Sequence, residues 1–105
     1  MFIDIHGHAY RRPYYCTATN LVFSTPEQLL VLYEKLGIEQ ACLLPLVSPE
    51  VYLPQANEDI LEMAEKYPCR FIPFCNIDPL AISNSPDAPF GDLLRYYRDC
   101  GCKGI

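Results

Sequence analysis

Basic residues are scarce and scattered in this sequence: 8 Lys and Arg stand against 13 Asp and Glu, and Arg11-Arg12 is the only doublet. The formal net charge is -5. A chain without a basic block lacks the electrostatic footprint that nucleic acid or an anionic membrane surface requires, so neither is an expected partner. Long apolar runs are missing too, and none approaches the roughly 18 residues that span a bilayer. The start, Met1-Phe2-Ile3-Asp4, has no basic residues of the kind that open a signal peptide, which makes the cytoplasm the expected location. There is no CxxC: the tightest spacing among the six cysteines is Cys100-Gly101-Cys102. A zinc knuckle or a redox pair is therefore not indicated. Cys42, Cys69, Cys75, Cys100 and Cys102 lie in or beside apolar segments and read as reduced, buried thiols rather than as a disulfide framework. Ser48 has no histidine partner outside the His6/His8 motif, so no nucleophile triad is visible.

What is present is an ordinary globular composition, 50% hydrophobic and 20% charged over 105 residues, enough for one domain at most. Phe2 to Ile5 reads as a first strand running into His6-Gly7-His8. A long polar and aromatic loop, Ala9 to Phe23, is expected next. Thr25-Pro26-Glu27-Gln28 combines a capping Thr, Pro at the first helical position and Gln three residues after the cap. Leu29, Leu32, Tyr33 and Leu36 follow at helical spacing, and Gly37 closes the helix. Within Ile38 to Val47, the unbroken run Ala41-Cys42-Leu43-Leu44-Pro45-Leu46 predicts a strand covered on both faces and ending near Pro45. Asn57-Glu58-Asp59 opens a second helix that ends at Tyr67-Pro68, and Phe71 to Ile77 is a third strand. A Pro-rich turn leads to a third helix, Phe90 to Cys100, and Lys103-Gly104-Ile105 begins a fourth apolar element. The order is α/β, a βαβαβαβ series whose strands start near positions 2, 40, 71 and 103, and such alternation builds a parallel sheet through right-handed crossovers.

The chemistry concentrates at the end of the first strand. Alternation on a strand turns His6 and His8 to one side, with Asp4 one step below them on that side. An HxH also arises by chance, with one ring solvated and the other capping the strand. Three features favour a ligand pair: both histidines of the chain are in this motif, it ends the first strand of a βα series, and Gly7 allows close backbone approach. Neutral imidazoles suit zinc, iron, manganese or nickel, and Asp4 is placed to accept a hydrogen bond from a ligating ring and set its tautomer. Arg11 and Arg12 carry planar forks suited to a substrate carboxylate, or are simply surface charges. Asn76 and Asp78 follow the third strand, where a barrel presents groups to substrate. Asp78-Pro79 is also an ordinary turn opener, the reading its neighbours favour. Tyr10, Tyr14 and Tyr15 line a pocket mouth or pack the long loop.

Together, Ile3-Asp4-Ile5-His6-Gly7-His8, Gly37-Ile38-Glu39-Gln40-Ala41, Asn57-Glu58, Tyr67-Pro68-Cys69-Arg70-Phe71 and Gly101-Cys102-Lys103-Gly104-Ile105 resemble the amidohydrolase superfamily. The branch most similar is the amidohydrolase-2 group of TIM-barrel metal-dependent hydrolases and decarboxylases. The likeness runs along nearly all of the chain and corresponds to about the first third of a full member. It implies that residues 1–105 are the N-terminal part, the first half of a (β/α)8 TIM-like barrel, with the fourth strand only begun at Ile105. It also implies that His6 and His8 bind a divalent metal, usually Zn2+. Further ligands and a catalytic acid/base would come from a His and an Asp on later strands, which map to no residue here. The implied activity is a metal-dependent hydrolase acting on a small, carboxylate-bearing substrate, or a nonoxidative decarboxylase. A catalytic zinc takes three protein ligands plus water, so a chain offering two histidines and at most one carboxylate is expected to work only with the remainder of the barrel. The alternative is a non-catalytic half-barrel or a self-associating metal-binding module, since an open sheet edge invites pairing.

Overall fold

The computed structural model describes residues 2–47, 52–80 and 82–105; Ser48 lies outside them. The fold is mixed α/β, with a three-stranded parallel sheet and a small antiparallel one. In chain order the elements are β1 (Phe2–Gly7), β2 (Tyr14–Cys16), β3 (Leu21–Phe23), α1 (Pro26–Leu36), β4 (Ile38–Leu43), α2 (Asn57–Lys66), β5 (Phe71–Pro73) and α3 (Phe90–Asp99). The parallel sheet runs β1-β4-β5, and Phe74 then bridges in parallel to Gly104. Within this sheet each strand thus lies beside the one that precedes it in the same sheet.

The helix boundaries follow from local chemistry. Thr25 Oγ1 accepts the Gln28 N–H while Gln28 Oε1 accepts the Thr25 N–H, so the reciprocal capping box forms, and Gly37 ends the helix at φ 70°. Before α2 stands Ala56, whose methyl can accept nothing; Asp59 covers the Ala56 N–H instead. That frees the Asn57 side chain for a task described below. Ala9, Tyr33, Ala41, Leu43, Ile60, Met63 and Phe71 form one buried cluster between the sheet and helices α1 and α2. The far face of the sheet is open: Ile3 and Ile5 are 47% and 77% exposed.

Three expectations need correction. The stretch Ala9 to Phe23 is not all loop, because Tyr14–Cys16 pairs antiparallel with Leu21–Phe23. Strands of three residues are too short to display alternation, and the turn between them is made by Asn20 at φ 56°. β4 ends at Leu43, two residues before Pro45, and β5 spans only Phe71–Pro73 rather than reaching Ile77. Beyond it Asn76 turns to side-chain bonding. The third helix forms where expected, as α3, and none of its residues is fully buried. Finally, of the thiols read as buried, Cys69 and Cys100 are exposed, being carried at the loop and helix ends; Cys42, Cys75 and Cys102 are buried, as is Cys16. No helix among the described residues is long and apolar enough to cross a membrane.

The two core helices are tied end to end by Glu27, at the start of α1. It accepts hydrogen bonds from Lys66 Nζ (2.8 Å) and the Tyr67 hydroxyl. These bonds, Lys66 first, hold its carboxyl well below the usual carboxylate range, at about 2. A depressed folded-state pKa contributes stability above the unfolded pKa and loses it as pH falls through the folded one. In thermal melts, wild type should therefore exceed Glu27→Gln at pH 6, and the gap should close between about pH 4.5 and pH 2. The gap will be small, because the group is exposed to solvent screening.

Candidate metal centre

Pairing between β1 and β4 slips at the end that carries the histidines. Asp4 pairs with Ala41 and Gly7 with Leu43, three steps on one strand against two on the other. This bulge changes which side chains share a face. Asp4 Oδ2 accepts the Tyr33 hydroxyl at 2.6 Å, and a Cβ on Gly7 would stand 2.9 Å from the same Tyr33 oxygen. Asp4 and Gly7 therefore both face α1. His6 and His8, which flank Gly7, point to the other face, and Gly7 carries no side chain because Tyr33 occupies its space. Burial, then the bond to Asp4, holds the Tyr33 hydroxyl protonated far above its ordinary range, so it remains a donor.

The two imidazoles meet. His6 Nε2 lies 3.0 Å from His8 Nε2, the ring planes at 87°. His8 Nδ1 is 2.8 Å from the Leu44 carbonyl oxygen. A carbonyl can only accept, so Nδ1 carries the proton and His8 Nε2 keeps its lone pair, aimed at His6. The role expected of Asp4 thus falls to Leu44. Asp4 Oδ1 accepts the backbone N–H of His6 at 3.0 Å and braces the bulge, because the extra residue has turned its carboxylate away from the rings.

Imidazole nitrogens sharing a tetrahedral zinc at about 2.0–2.1 Å stand roughly 3.3 Å apart, so the observed separation fits a shared ion after a small opening. The set stops at two: among the described residues no group of three or more His, Cys, Asp and Glu is placed to hold a metal.

Side-chain amides knit the strand-end loops together. Leu44 N–H donates to Gly7 O, joining the ends of β1 and β4. Gln55, 5% exposed, donates from Nε2 to Ala9 O (2.6 Å) and accepts the Leu46 N–H at Oε1 (2.9 Å). Asn57 and Asn76 bond reciprocally, Asn57 Nδ2 to Asn76 O and Asn76 N–H to Asn57 Oδ1, while Asn76 Nδ2 reaches Pro45 O. Tyr10 stacks on Tyr14 at 4.8 Å and sends its hydroxyl to Leu46 O, and burial pushes that hydroxyl up to about 12. Tyr14 donates to Tyr52 O, whereas Tyr15 lies exposed and bonds Asn20. Gln55 escaped the sequence reading because a single amide before a helix has no local signature.

Of the expected substrate contacts, Arg11 and Asp78 line different cavities. Arg11 pairs with α2, its guanidinium 2.7 Å from both Asp59 and Glu62, two carboxylates about one helical turn apart. Arg12 is exposed. Asp78 caps its own turn by accepting the Leu80 N–H at 2.8 Å. It also lines a cavity of about 640 Å³ with Gln55, Asn57, Glu58, Asn76 and Tyr97, whose lining among the described residues holds no Lys or Arg. That lining offers no cation to a substrate carboxylate.

Comparison with family models, curated proteins and solved structures gives no match for this chain. Fold and site define it as a mixed α/β chain with a parallel sheet whose first strand ends in two converging imidazoles.

Proposed function

We propose that residues 1–105 form the N-terminal part of a metal-dependent hydrolase of the amidohydrolase-2 type, a longer (β/α) barrel acting on a small molecule. The observation that carries this reading is the His6–His8 pair, two Nε2 atoms 3.0 Å apart with the His8 tautomer set by Leu44. Support comes from the sheet order β1-β4-β5 with Gly104 next, because a barrel adds each strand beside the last whereas doubly wound sheets reverse direction. The pair sits at the carboxyl end of β1, the end at which barrels hold their chemistry. In this reading the face bearing Ile3 and Ile5 is barrel lining, covered by later strands.

His6 and His8 would hold a divalent ion, zinc by the chemistry of the donors, and such an ion polarises a carbonyl or activates a water. The chain's own contribution is orientation: Leu44 fixes one ring, and Asp4 and Tyr33 fix the strand beneath. The remaining ligand and the proton-transfer group belong to later strands.

The test uses the protein that carries this chain. Chelator-stripped protein is assayed on carboxylic esters, lactones and aromatic carboxylic acids, then reloaded with zinc. Turnover should vanish on stripping and return on reloading, with carbon dioxide release separating decarboxylation from hydrolysis. Turnover indifferent to stripping would overturn the proposal.

A further inference from the structure

We infer that Gln55 is a positioning residue for the histidine pair, setting the ring of His8 through the backbone at its two ends. The inference rests on the metal-site reading. His8 is held at Nδ1 by Leu44 O, so its orientation depends on how the loop after β1 sits against the loop after β4. Among the described residues two side chains span that gap, Tyr10 with one hydrogen bond and Gln55 with two. Gln55 grips Ala9 O, one residue beyond His8, and the Leu46 N–H, two residues beyond Leu44. The two partners have opposite polarity, a carbonyl that needs a donor and an N–H that needs an acceptor, and a primary amide alone among the uncharged side chains of this length supplies both. The amide is buried, so either bond, once lost, leaves a polar group without water to replace it. Asn76 reinforces the same loop by donating to Pro45 O, and Tyr10 adds a single longer bond of 3.4 Å to Leu46 O, whereas Gln55 makes two bonds, one to each segment.

Two variants separate polarity from shape. Gln55→Glu keeps the acceptor and removes the donor; Gln55→Met keeps the length and removes both. Gln40→Met is the control, since Gln40 bonds Cys69 O from the amino-terminal half of β4 and touches neither loop. Nitrogen-15 NMR of the metal-free protein reads the His8 tautomer, and calorimetric titration with zinc reads affinity. Wild type and Gln40→Met should show His8 as Nδ1–H. Both Gln55 variants should mix in the Nε2–H form and bind zinc at least about ten-fold more weakly, the scale seen when a group orienting a ligand is lost. Folded Gln55 variants with unchanged tautomer and affinity would overturn the assignment. If neither folds, wild type decides. An Nε2–H His8 or a freely exchanging Leu46 amide refutes it, and an Nδ1–H ring with a protected Leu46 amide supports it. Wild type that binds no zinc sinks the metal reading alone, because the metal-free ring still reports on Gln55.

Discussion

Replacing His6 and His8 together by alanine is expected to remove divalent-metal binding from this chain altogether. Each imidazole alone is a single ligand; the affinity of the pair would come from two ring nitrogens already brought to 3.0 Å, with one ring locked by Leu44 O. Losing a group that merely orients a ligand costs about 10–100-fold, so losing a ligand should cost at least that, and losing both should leave no specific site. The single variants differ in what they leave behind. His6→Ala retains an oriented ring whose Nε2 is available, whereas His8→Ala retains an exposed ring without the Leu44 anchor, so His8→Ala should be the weaker binder. Metal content by mass spectrometry after equilibration with zinc decides the matter, and an unchanged content in the double variant ends the metal-site reading. The fold should survive, because His6 lies exposed and His8 only half-buried, both outside the core cluster.

Leu43→Ala should act in the opposite way, on the fold first. Leu43 has no exposed surface and stands in the cluster with Ala41, Ile60, Met63 and Phe71. Truncating a buried leucine typically costs about 2–5 kcal/mol, transfer and cavity together, against a total stability of about 5–15 kcal/mol for a domain. Leu43 also pairs with Gly7 across the strands, so the cavity opens under the histidine-bearing end of β1. Val31→Ala is the comparison: a side chain of α1 that is 59% exposed, where a change within about 0.5 kcal/mol is expected. Urea unfolding of both variants reads the difference. A loss below about 1 kcal/mol at Leu43 would mean that the core does not lie between this sheet and its helices.

Helix α1 was legible residue by residue, because Thr25, Pro26, Gln28 and Gly37 act on backbone groups within four positions of themselves. The fourth apolar element at Lys103-Gly104-Ile105 was legible from hydrophobic pattern, and Gly104 is where the bridge to Phe74 forms. The hairpin at Tyr14–Cys16 and Leu21–Phe23 was not, since three residues per strand carry no period. Asp4 was assigned to the face of the histidines by counting in twos. The count fails at the bulge, and nothing local to Asp4-Ile5-His6-Gly7 announces that β4 will pair two steps against three. Arg11 looked available for a ligand because its partners, Asp59 and Glu62, lie nearly fifty positions away on α2.

By itself, then, the sequence determined the alternation of strands and helices, the helix termini, the apolar runs that become the core, and the presence of both histidines in one motif at a strand end. These depend on interactions within a few residues, where periodicity and capping chemistry operate. Only the tertiary structure decided the contacts around the strand end that carries the pair: Leu44 rather than Asp4 on the His8 ring, Tyr33 in the space above Gly7, and Gln55 between Ala9 and Leu46. Apart from the Gln55–Leu46 bond, which closes a loop of nine positions, those contacts join residues 26 to 46 positions apart or hang on strand register, and register is set by how two strands pack and not by either strand alone.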